Sequence, residues 1–172
     1  CENETEITLT KVLGSPEYVN AKLSLEDPII SEDGYEFSFN VDQYELGLQT
    51  LKDFEYSLAN SAKGQHIHFI VNNDPYSAHY NEKFSKKLEG DSNVILAFLS
   101  RSYHESVKNK NAFVLTQLGE QKIDLDNEFL FYSRPKGTYK GADTEKLLLD
   151  FYLICLLYTS PSPRDLKISR MP

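Results

Sequence analysis

From residue 34 onward, apolar side chains recur at every second position. In "GYEFSFNVD", Tyr35, Phe37, Phe39 and Val41 fall on one face, and Glu36, Ser38, Asn40 and Asp42 on the other. Successive side chains of an extended chain point to opposite sides, so this spacing belongs to a half-buried strand. The pattern returns in "HIHFIV" (66–71), "AFVLTQL" (112–118), "EFLFYS" (128–133) and "KLLLDFYLI" (146–154), with a weaker copy at 21–25. "NVILAFLS" (93–100) is apolar on both faces, as a central strand is. Turn signals separate these runs: "EDG" at 32–34, "NNDP" at 72–75, "EGDSN" at 89–93, "RPKG" at 134–137 and "KGAD" at 140–143. No long stretch has helical period. The expected fold is all-β, an antiparallel β-sandwich over residues 20–154. Residues 78–88 read as a helical turn or loop, and "SYHESVKNKNAF" (102–113) as an irregular connection.

The C-terminal stretch "CLLYTSPSPRDLKISRMP", residues 155–172, reads codon by codon as a translated transposase-type sequencing adapter. It is set aside from fold reasoning as a processing scar is. The natural sequence is then expected to end at or before Ile154, within a longer protein. Removing Arg164, Lys167, Arg170 and Asp165 takes the formal net charge from −8 to −10. Cys1 becomes the single natural cysteine, so no internal disulfide framework is expected.

The remaining 154 residues suit one domain. No apolar run approaches the roughly 20 residues of a membrane span. Strong acidity without a basic stripe argues against nucleic acid as a partner. Cys1 is followed by the polar, acidic "ENETEITLT", so residues 1–19 read as a flexible lipoprotein tether. The expectation is acylation at Cys1 and a membrane partner through that lipid anchor. Two or more acyl chains would hold it stably.

All four histidines fall between residues 66 and 104. On a strand His66 and His68 share a face, and neutral imidazoles suit zinc or copper. His104 follows the 93–100 strand and can close such a site, with His79 a weaker fourth ligand. The same residues also read as strand histidines bonded to neighbouring tyrosines and carboxylates. A cupin-like metal-dependent enzyme is the alternative function, although "FIVNNDP" lacks the glutamate such a site adds. "SRSYHES" gathers serines, His104 and Glu105, but there is no G-x-S-x-G elbow. Arg134, Lys136 and Lys140 surround a turn and can hold a carboxylate or phosphate. Tyr76, Tyr80, Tyr103, Tyr132 and Tyr139 offer aromatic surface for a sugar or peptide ligand, with Tyr80 and Tyr103 nearest the histidines in sequence.

"ANSAKGQHIHFIVNNDPYSAHY", "VILAFLSRSYHESVKN" and "LFYSRPKGTYKGADTEKLLLDFYL" resemble a family of predicted envelope lipoproteins of Gram-negative bacteria. The core is distantly similar to a small bacterial envelope domain that reads Gly-His-His-His before a strand, then His-Tyr, then a strand closed by a histidine. Gly64, His66, His68, His79, Tyr80 and His104 follow that order, with Ile67 replacing the middle histidine of the triplet. The resemblance implies an immunoglobulin-like sandwich and an address in the cell envelope, on the periplasmic or surface side. It implies no activity. The expected function is a non-catalytic binding or structural module.

Overall fold

A computed structural model of the chain describes residues 14–32, 34–54, 59–134, 137–145 and 150–154. Its strands are β1 (Lys22–Leu25), β2 (Ile29–Ser31), β3 (Gly34–Asp42), β4 (His66–Val71), β5 (Ser77–His79), β6 (Lys83–Lys86), β7 (Ser92–Ser100), β8 (Phe113–Gly119), β9 (Phe129–Arg134) and β10 (Asp150–Ile154). All pairings are antiparallel. The fold is a β-sandwich, as the alternation predicts.

The first sheet is built on a hairpin. β1 and β2 lie along the same edge of β3, with Leu25 opposite Phe39 and Ile29 opposite Glu36. Between those pairs the register slips by one residue, at 26–28. Pro28 falls in this gap, where its missing N–H does not cost a ladder bond. β6 pairs with the other edge of β3. The second sheet has the order β5-β4-β7-β8, and β9 with β10 forms a separate ribbon.

Packing explains why β4 and β7 are apolar on both faces. Ile67, Phe69, Ile95, Ala97 and Leu99 face the first sheet and meet Leu23, Phe37 and Phe39 in one core cluster. On the reverse side Ile70, Leu96 and Phe98 join Phe131, Tyr152 and Ile154 of the ribbon in a second cluster. Tyr152 stacks on Phe98 with ring centroids 4.4 Å apart. The molecule therefore has three layers, with the β4–β7 sheet in the middle. Truncating a fully buried aromatic such as Phe69 in that sheet costs about 3–5 kcal/mol.

The 78–88 connection departs from its expected helical turn or loop. It contributes β5 and β6, which extend the β4 edge of one sheet and the β3 edge of the other. Backbone pairing drives this: the two short strands satisfy groups that β4 and β3 would otherwise present unpaired. The 102–113 connection is irregular apart from a bridge between Ser100 and Ser106. Residues 155–172 and Cys1 lie outside the described residues.

Candidate metal centre

The histidines meet where β4 begins and β7 ends, because Ser100 is the antiparallel partner of His66. Gly64 brings the chain into β4 with φ at 84°, and a Cβ there would meet the backbone of Gly47 at 2.4 Å. Only glycine fits so close an approach at positive φ. The turn aims the Gly64 carbonyl at His66, whose Nδ1 lies 2.8 Å away. A carbonyl only accepts, so Nδ1 carries the proton and Nε2 of the neutral ring carries a lone pair. Burial pushes His66 down from 6.5 to about 4, opposed by the Gly64 bond and assisted by His104.

His68 points to the same side of β4. Its Nε2 lies 2.8 Å from Nε2 of His66 and 3.4 Å from Nδ1 of His104. The ring is packed between Tyr76, stacked at 4.0 Å, and Phe98 at 5.0 Å. His66 and His68 are almost fully buried, at 0% and 4% exposure, and His104 is half-buried. Candidate ligand atoms of all three rings fall within 4.8 Å of one another.

His104 arrives from the loop after β7 in a left-handed conformation, φ 64°. Its N–H donates to the Arg101 carbonyl, closing the turn. Glu105 and Tyr103 on either side point elsewhere. Glu105 accepts from Ser15 at 2.6 Å, and the Tyr103 hydroxyl donates to Ser15 at 2.9 Å. Tyr103 packs edge-on against Phe54, and burial raises its hydroxyl pKa.

The remaining sequence-derived candidates divide. Tyr80 sits beside the cluster, its ring 5.1 Å from His66 and its hydroxyl 2.7 Å from Ser61. Tyr103 is buried away from the imidazoles. His79, the weaker fourth ligand, is not in the cluster. It stands opposite Ile67 on β5, and directly paired residues share a face, so it lies on the other side of the sheet. There it stacks on Phe84 at 3.4 Å, and burial again lowers its pKa, to about 4. Lys136 lies outside the described residues, as does the side chain of Arg134.

Two contributors escaped the sequence reading. The Gly64 carbonyl fixes the His66 tautomer, and Gly-x-His ahead of a strand was its only trace. Tyr76 reads from sequence as general aromatic surface, whereas it packs flat on His68. Among the described residues, the group able to hold an ion comprises three histidines and does not include the glutamate of a cupin site.

What fold and site define is a β-sandwich with a buried three-imidazole cluster. No protein-family model, curated protein or solved structure matches the chain.

Proposed function

We propose that this domain binds a transition-metal ion, copper or zinc, through Nε2 of His66, Nε2 of His68 and Nδ1 of His104, without catalysing a reaction. The bacterial envelope implied by the family resemblance is the setting attached to this reading.

The observation that carries it is the 2.8 Å separation of two buried ring nitrogens, one of them bearing a lone pair. Two lone pairs at that distance repel, so a proton or a cation must lie between them. Nitrogens bound to one ion at about 2.0–2.1 Å stand about 2.9–3.4 Å apart for angles of 90–110°. The two pairs that share His68, at 2.8 and 3.4 Å, lie close to this range. The Gly64 carbonyl supplies the outer contact that orients a ligating imidazole.

The test is thermal unfolding with copper(II) or zinc(II), in a Cys155→Ser background that removes a competing thiol. A ligand confined to the native state adds about 2.7 kcal/mol at 100 times its Kd. We expect a concentration-dependent rise in Tm that His68→Ala abolishes. An unmoved midpoint, or an equal rise in the variant, defeats the proposal and leaves the histidines as internal hydrogen-bonding groups.

A further inference from the structure

The sharpest asymmetry near the cluster is how its third ring is held. Arg101 is buried, 2% exposed, and a buried guanidinium persists only when its donors are used. Its Nε and one terminal nitrogen both donate to the Pro16 carbonyl, and the other terminal nitrogen donates to the Ser106 carbonyl at 2.7 Å. Glu105 faces it at 3.6 Å, and the Tyr18 ring lies 5.6 Å from it. Ser15 then joins Glu105 and Tyr103. Arg101, Tyr103 and Glu105 thus all reach into residues 15–18, and His104 stands among them. A left-handed non-glycine residue is strained and persists where its surroundings over-determine it.

We propose that residues 14–18 act as a strap whose docking positions His104 for metal, so that strap docking and metal affinity are thermodynamically linked. This rests on the metal-binding reading above and specifies the regulation of that site. Ser15, Arg101 and Glu105 are positioning residues in it and touch no ion. With the strap docked, the loop 101–106 is clamped at both ends and Nδ1 of His104 faces His68. With the strap released, the left-handed turn relaxes and only the strand-borne pair retains its geometry. Because coupling is reciprocal, bound metal tightens the strap by the factor by which the strap tightens metal. Whatever engages the segment around residues 14–18 then tunes the affinity of a site on the far side of the 101–106 loop.

The experiment compares the full chain with Ser15→Ala and with Glu105→Gln, two substitutions at half-buried positions that leave the core intact. Leu23→Ala, a core change outside both residues 14–18 and the 101–106 loop, controls for lost stability. Three quantities are read: copper(II) affinity by titration, amide exchange of residues 14–21 with and without copper(II), and diethylpyrocarbonate modification of His104 without metal. Each strap variant should bind copper(II) on the order of 10-fold more weakly. His104 should be modified several-fold faster, and copper(II) should slow exchange of the Ala21 amide, which donates to Tyr18. Leu23→Ala should leave affinity and His104 reactivity unchanged. Unchanged affinity and reactivity in both strap variants would overturn the linkage, as would equal losses in Leu23→Ala. If the unaltered chain binds no copper(II), the metal reading fails with the linkage. Faster His104 modification in the strap variants would then show positioning of the ring without a metal role.

Discussion

His66 and His68 belong to a strand; His104 belongs to a loop. The first two lie on β4, whose backbone bonds to neighbours on both sides and whose six side chains are all buried. The third sits on a left-handed turn, half-buried, between Arg101 and Glu105, which bond to residues 85 and 90 positions away. The strand pair gets its geometry from the fold as a whole, since moving it means disrupting two core clusters. The loop histidine gets its geometry from a handful of hydrogen bonds. Stability and ligand geometry are therefore inseparable in one half of the centre and separable in the other.

Acid should break the strand half most strongly. His66 titrates near 4 in the folded chain against 6.5 unfolded, so between these values the unfolded state binds more protons. Stability from this ring is fully present above pH 6.5 and is lost as pH falls toward 4. At about 1.4 kcal/mol per unit, the loss approaches about 3 kcal/mol. Urea denaturation at pH 7 and pH 4 checks this, and His66→Gln should show a flatter dependence. Equal slopes would mean that the ring is not held neutral by its burial.

His104→Gly sharpens the contrast in the other direction. Glycine adopts φ near 64° without strain, so the metal-free protein should gain up to about 1 kcal/mol. The same change should remove most of the copper(II)-dependent rise in Tm. Stability up and ligand response down is a combination that no substitution at His66 should give.

The smallest effect is expected at His79. His79→Phe keeps an aromatic ring against Phe84 on the face away from the cluster and forfeits the 2.9 Å contact with Ser77. Metal affinity should be unaltered and stability should change by less than about 1.5 kcal/mol. A clear loss of affinity would show that the two faces of the sheet communicate.

The same contrast decides what could be read from the sequence. β3, β4 and β7–β10 are legible because each carries enough alternating or doubly apolar residues to show a period. β2, β5 and β6 have three or four residues, too few to show one, and they are extended because of partners distant in sequence. The ribbon's role as a third layer was likewise hidden, since alternation reveals a buried face and not what covers it. In the site, the shared face of His66 and His68 follows from strand pitch alone. The His104 placement required a positive φ in a residue other than glycine, together with Ser15, Pro16 and Tyr18, which lie in the stretch assigned to a tether. Those bonds span 85 and 90 residues and leave no local pattern.

The three-layer arrangement also sets the order in which the chain can be finished during synthesis. The middle sheet can assemble once β8 has left the ribosome, and its first face can be covered at once by β1–β3 and β6. Its second face, with Ile70, Leu96 and Phe98, must wait for Tyr152 and Ile154 at the end of the last described strand. At 5–20 residues per second that delay is about 2–7 seconds from residue 119, during which an apolar sheet face stands open to neighbouring chains. A nascent chain halted before β10 should therefore be sticky and chaperone-dependent even though every histidine of the centre is already in place.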